Sequence, residues 1–423
     1  MIRKDVEVDR LRPGVFIELD LPWHQHPFLF NKFKIKDDDD IAVLKEIGLT
    51  EVRVNPNRSD AEPLPRRSDA TPKASAPPRR QRRAAPLAED KKRRIARLRV
   101  RRERFRQCDQ AFQSQIQSAR TVVADLKARP QQALDQASAL VGEMTDVLSA
   151  DSELMVHLMN DKEGQQTLYF HALNVAVLAM LLARSLKADR TTLHAIGLGA
   201  LFHDVGQQRI PHSVLHKRGP WNHAERDFVE QHPRYGVDTA KKIKDFPKDA
   251  LTIIGQHHEA CDGSGYPNKL TKDEIAWATR VVQVANVYDN HCNPTDPRQA
   301  KSPHQALSHM LAFQSEQLDA HLIQVFIKSI GIYPPGTIVR LSNDMIGIVI
   351  GVDDRDLLRP SVMVYDPNVP KSEAVVADLY SESDLSISDE LSPNDLTPEV
   401  INYLSPRTRV SYYFDSPQGP KRA

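Results

Sequence analysis

The sequence has only three cysteines, Cys108, Cys261 and Cys292, and they stand far apart without metal-finger spacing. This argues against a disulfide framework or a structural cysteine–zinc site and fits a reducing compartment. No apolar run is long enough to span a bilayer, and the opening "MIRKDVEVDRL" lacks the apolar centre of a signal peptide. A cytoplasmic location is the expectation. Charge of one sign is not in excess either: 57 Lys and Arg face 56 Asp and Glu, leaving a formal net charge of +1. The chain as a whole therefore has no electrostatic preference for nucleic acid or membrane. Two catalytic signatures are missing as well. No G-x-S-x-G elbow marks a serine nucleophile, and no G-x-x-x-x-G-K-[ST] loop marks an NTPase.

What is present divides the 423 residues into segments. Residues 1–57 read as a small α+β domain, with strands around a Pro13-Gly14 turn and then an acidic helix start, a Gly48 stop and a strand. The aromatic stretch between them holds His24 and His26, which read as surface-loop residues. Residues 58–107 are a Pro-, Ala- and Arg-rich linker whose basic run 91–107 reads as a solvated charged segment rather than a nucleic-acid contact. Residues 108–160 read as connecting helices broken at Pro130, with a face for a homodimer. A helical block follows to about 340, and 341–423 reads as a β-rich extension, with the acidic stretch 381–397 as loop.

The helical block carries polar groups where a core should be apolar. His171 lies inside "LYFHALNVAVLAMLLARSL" (168–186), an otherwise buried-looking helix. His203 and Asp204 end the next helix, His232 interrupts a third, and His257-His258 open "HHEACDGSGYP" at 257–267. Each alone reads as a satisfied histidine. Several imidazoles and a carboxylate on separate helices of one bundle match the way bundles build metal centres from inward side chains. Without thiolate the set suits iron, manganese or zinc, and Asp204 is placed to bridge two ions that would activate water against a phosphodiester.

These residues resemble the HD-GYP family, a branch of the HD metal-dependent phosphohydrolases. "HDVGQQRIP" (203–211) is similar to its His-Asp segment and "HHEACDGSGYP" to its Gly-Tyr-Pro segment. Residues 1–57 resemble the small domain of unknown role that often precedes it, which implies protein partners through that domain. The resemblance implies a mainly α fold with an HD-type helical bundle over 161–340. It also implies hydrolysis of cyclic di-GMP to pGpG or GMP with two divalent ions, iron or manganese. By position it makes His171, His203, Asp204, His232, His257, His258 and Asn286 the metal-binding set, with His203, Asp204 and Gln207 at the catalytic step. Arg298 and the loop residues Asp262, Gly263, Gly265, Tyr266 and Pro267 would meet the substrate.

The departures from the family pattern concern phosphate and metal. Its lysine is Gln207 here, its ligand aspartate is Asn286, and the first arginine of its Arg-Pro-Tyr-Arg segment is Thr295, with Arg298 kept. Position 167 is threonine where three-metal members carry glutamate, so two ions are expected. Three readings stay open: a phosphodiesterase with a weakened site, a receptor that binds the nucleotide without hydrolysing it, and a structural module.

Overall fold

The computed structural model describes residues 4–21, 26–65, 114–149, 155–158, 167–404 and 412–415, apart from isolated one- or two-residue gaps. His24, Thr295 and, but for Glu103, the basic run 91–107 lie outside the described residues. The chain divides into two compact units, one made of 1–103 with 340–347 and 364–376, the other of the remainder.

In the first unit β1 (Lys4–Glu7), β2 (Phe16–Glu18), β3 (Lys32–Lys34) and β4 (Glu51–Val54) form an antiparallel sheet in the order β1-β4-β2-β3. Helix α1 (Asp38–Glu46) begins where the Asp37 carboxylate accepts the backbone N–H groups of Asp39 and Asp40, an N-cap that the acidic run supplies. Its Val43 and Leu44 join Val6, Ile17, Ile35 and Val54 in a core of its own.

The second unit is dominated by helices. The helix over 114–125 ends in a turn before Pro130, the expected break, and helix α2 (Pro130–Ser149) begins there, because a first-turn proline loses no intrahelical hydrogen bond. Residues 155–158 form a strand, β5 (Met155–Leu158), not the helix expected from the sequence. Helix α3 (Thr167–Ser185) is apolar on all sides, and Leu173 to Met180 are fully or almost fully buried. It packs on α4 (Arg190–Phe202) and on α9 and α11, described below. After α4 come a 3-10 turn at Val205–Arg209, the one-turn α5 (His212–Leu215), α6 (His223–Glu230), α7 (His232–Ala240) and α8 (Lys248–Gln256). The segment that reads in sequence as one helix through His232 is thus two, and His232 opens the second. Helices α9 (Trp277–Cys292), α10 (Pro303–Phe313) and α11 (Ala320–Ile330) complete the bundle.

Strands β6 (Ile338–Leu341), β7 (Ile346–Gly351), β8 (Ser361–Val364), β9 (Val375–Asp378) and β10 (Ile387–Glu390) follow, then α12 (Pro398–Leu404) and β11 (Tyr412–Asp415). They form a sheet in the order β10-β6-β7-β5-β11, with β8 between β7 and β9. Strand β10 corrects the expectation that 381–397 is all loop. Among the described residues no helix is long and apolar enough to cross a membrane.

Candidate metal centre

The helix ends bring the histidines together. His203 follows the last residue of α4, His257 follows α8, and His232 stands just after α6. Carbonyls in a final helical turn lack intrahelical partners, and each of these rings takes one up. The Nδ1–H groups of His203, His232 and His257 donate to Ala200 O (2.6 Å), Val229 O (2.8 Å) and Ile254 O (2.9 Å), each three residues back. His171, inside α3, donates its Nδ1–H to Asp289 Oδ2 at 2.7 Å. Asn174 and Asn293 donate to the other oxygen of Asp289, which is fully buried on α9.

These four bonds fix four tautomers and leave every Nε2 as a lone pair. The lone pairs meet: His171 and His203 Nε2 are 3.2 Å apart, and His232 and His257 Nε2 are 3.1 Å apart. Two acceptors at that distance repel unless a proton or a cation lies between them. Asp204 stands between the pairs. Its Oδ2 lies 3.4 Å from His203 and 3.9 Å from His171, and its Oδ1 lies 3.2 Å from His232 and 3.6 Å from His257. Buried Oδ1 has no hydrogen-bond partner, an omission that usually costs roughly 1–3 kcal/mol. Imidazole lone pairs around an orphaned carboxylate oxygen fit divalent cations, and the ligand atoms fall into two overlapping sets: His171, His203 and Asp204; and Asp204, His232, His257 and His258.

The remaining expected residues divide into neighbours of the cluster and residues with other partners. His258 follows His257 in the turn, and its ring stacks on Tyr266, centroids 4.6 Å apart. Buried Asn286, on α9, helps favour the charged form of His171 and shares a cavity wall with His257 and His258. Gln207 is half-buried on the 3-10 turn one step beyond Asp204. Asp262 is exposed and accepts from Ser264 N and Oγ, which shapes the turn, and Gly263 occupies positive φ within it. Pro267 O accepts from Arg234. Arg298 is exposed with its guanidinium on the Asp296 carboxylate, and no described contact joins it to the histidines.

Sequence reasoning missed the supporting roles of four residues. Glu259, the glutamate of "HHE", takes no part in the cluster. Its buried carboxylate accepts the backbone N–H groups of Asn268 and Leu270, both at 2.8 Å, and so closes the loop. A Cβ on Gly265 would fall on the backbone of Glu259 and Ala260, and one on Gly206 on the His232 carbonyl. Only glycine permits either approach. Asn174 breaks the apolar pattern of the same helix as His171, but a carboxamide has no metal-ligand character to draw notice.

The electrostatics divide the cluster. Burial works against a charged His171, but the hydrogen bond and charge of Asp289 outweigh it and hold the ring above its usual pKa. Burial would raise Asp204, yet charge on His203 and hydrogen bonds from the rings of His203, His232 and His257, once these carry a proton on Nε2, take it well below the carboxylate range. His257 is pushed down to about 4 by burial, reinforced by the neighbouring imidazoles and opposed by Asp204, and His258 is lowered for the same leading cause. In the unfolded chain both titrate near 6.5, so below that pH the unfolded state takes up protons that the fold refuses. Stability is therefore lost as pH falls from about 6.5 toward about 4. His171 has the opposite sign, stabilising at low pH, but it stands alone against two. The metal-free protein is expected to lose on the order of a few kcal/mol between pH 7 and pH 5. Denaturant melts at the two pH values measure this, and equal midpoints would refute it.

The paired histidines around a shared aspartate in a helical bundle form clusters that could hold metal ions, and known proteins offer a comparison. Residues 144–322 match the family described as HD domain, and residues 3–137 match a domain of unknown function, DUF3391. The chain thus carries an HD domain preceded by that domain of unknown function. It is 28% identical to a cyclic di-GMP phosphodiesterase of Pseudomonas aeruginosa, over 86% of this chain and 85% of the relative. The 3'3'-cGAMP-specific phosphodiesterase 2 of Vibrio cholerae is 33% identical over 34% of this chain and 28% of its own. The cyclic di-GMP phosphodiesterase response regulator RpfG of Xanthomonas campestris is 27% identical over 47% of this chain and 53% of its own. The chain thus spans most of the first relative and about a quarter and a half of the other two. Among solved structures, a HDG"Y"P protein from Bdellovibrio bacteriovorus gives a TM-score of 0.41 at 16% identity, covering 77% of this chain and 98% of that one.

Proposed function

We propose that this chain is an HD-GYP-type phosphodiesterase that hydrolyses cyclic di-GMP to pGpG or GMP. Its helical domain, over 161–340, would hold two divalent cations, iron or manganese. The observation that carries the reading is Asp204, whose two oxygens each face a separate pair of imidazole lone pairs. When bound, such cations supply Lewis acidity for attack of water on phosphorus. The chain's own residues prepare the site. Asp289 and three helix-end carbonyls fix the imidazole tautomers, Tyr266 covers His258, and Glu259 holds the loop closed. The Pseudomonas relative, matched along most of both chains, supports the substrate class.

Gln207, whose backbone N–H donates to Asp204 O, stands where the resembled family has a cation, and Asn286 offers a neutral oxygen. Rate is expected to suffer more than metal binding, because losing one charged contact to a transition state costs roughly 10²- to 10³-fold. Arg298, paired with Asp296 in the open, favours a second reading in which the protein binds the nucleotide without turnover. Anaerobically purified protein incubated with cyclic di-GMP and Mn²⁺ or Fe²⁺ separates the two. Formation of pGpG or GMP by the wild type and not by His203→Ala is the expected result. Metal-loaded protein that binds the nucleotide and forms no product would establish the receptor instead.

A further inference from the structure

Beside the cluster lies a cavity of about 410 Å³ whose walls include His257, His258, Asn286, Asn290, His291 and Gln314. That volume lies in the range of small-ligand clefts. Its composition is unusual for a place that meets a dinucleotide phosphate: among the lining residues there is no lysine or arginine. The single acid, Glu259, has its carboxylate taken by loop amides. The rest is largely carboxamide, since Gln283 and Gln317 join Asn286, Asn290 and Gln314, with Val287 and Leu318 as apolar surface. Carboxamides between apolar walls suit a flat neutral ring with hydrogen-bonding edges, not a phosphate.

The amides are polarised by their neighbours. Asn290 Nδ2 donates to Asn286 Oδ1 at 3.0 Å, which leaves Asn290 Oδ1 as an acceptor. His291 Nε2–H donates to Gln314 Oε1 at 2.8 Å, which leaves the Gln314 amide nitrogen as a donor. Burial lowers the pKa of His291, in keeping with a neutral ring there. An unbound amide can rotate to read either purine, but with the proton of His291 on Nε2 these two are held with opposite polarity. Guanine offers an O6 acceptor beside N–H donors, and adenine offers the reverse at the corresponding atoms.

We propose that this cavity is a nucleobase subsite that selects guanine. Gln314 donates to O6, Asn290 accepts from the adjoining N–H edge, and His291 fixes the orientation of Gln314. The inference rests on the cyclic-dinucleotide reading above and names the residues that set its base specificity.

The test titrates the purified full chain with cyclic di-GMP and with cyclic di-AMP, and separately follows hydrolysis of bis(p-nitrophenyl) phosphate with Mn²⁺. The latter substrate has no nucleobase and reports on the metal centre alone. Wild type is expected to favour cyclic di-GMP by tenfold or more. Gln314→Glu, which replaces the donor by an acceptor, is expected to weaken cyclic di-GMP by roughly 10- to 100-fold while cyclic di-AMP binds as well or better. His291→Ala, which lets Gln314 rotate, brings the two affinities together. Both variants should hydrolyse bis(p-nitrophenyl) phosphate at the wild-type rate. Equal weakening of both nucleotides, or no preference in wild type, overturns the subsite even if the simple diester is cleaved. Discrimination without cleavage of that diester supports the subsite and overturns the hydrolase reading alone.

Discussion

Asp204→Asn protein is expected to fold, to lose its divalent metal, and to hydrolyse phosphodiesters about 10³-fold more slowly than wild type. The substitution keeps volume and removes the one charge shared by both histidine pairs. Its effect on the metal-free protein has the opposite sign. Wild-type Asp204 Oδ1 is buried without a partner and faces imidazole lone pairs. An amide NH₂ would donate to one of those lone pairs, so metal-free Asp204→Asn should melt at or above the temperature of metal-free wild type. Removing a partner from a true buried ion pair would instead cost roughly 3–5 kcal/mol. Metal analysis, turnover and melting together decide the matter. A variant that keeps its metal and rate would show that the carboxylate is not the bridge, and a large loss of metal-free stability would show that it is paired within the fold.

The second large effect is expected from a methyl group. In Gly206→Ala the new Cβ would fall on the His232 carbonyl and close to Gly236 N, backbone against backbone, with no flexible side chain to yield. The 3-10 turn must then part from α7, and Asp204 moves away from His232 with it. The cost is expected to be about 3 kcal/mol, the upper range for overpacking, together with a much weaker metal centre. Gly142→Ala is the internal contrast. Gly142 lies in α2, and a methyl group added there would meet nothing within 4 Å. That exchange should stabilise by about 0.5–1 kcal/mol through helix propensity. Thermal melts of the two variants give opposite shifts if packing decides, and a neutral Gly206→Ala would mean that the turn and α7 are not held in register.

The cluster is legible in the sequence because burial makes polar residues conspicuous. His171 in an apolar helix and His203-Asp204 at the end of another invite a metal, and the structure gathers them with His232, His257 and His258. What the sequence hides is the hydrogen bonding around them. Nothing local says that Glu259 serves backbone amides of its own loop or that three rings hold their own helix ends. Residues 155–158 read as helix although they form a strand, because the partner strand, β11, begins at Tyr412. Pairing across such a separation leaves no local trace, and the same holds for β10 beside β6. Pro130 is legible for a simpler reason: proline is excluded from a helix interior and welcome in a first turn, so it marks the break between the helix over 114–125 and α2.

Because His203, His232 and His257 are each tethered to a carbonyl of a final helical turn, ligand geometry and helix-end order are one equilibrium. Any cation that prefers the aligned rings also opposes fraying of α4, α6 and α8. By mass action the folded state then gains stability with free cation, about 2.7 kcal/mol at a concentration a hundredfold above the dissociation constant, and the midpoint of unfolding climbs with it. Amide protons near these three helix ends should slow their exchange together, so backbone protection becomes a readout of occupancy that needs no substrate at all.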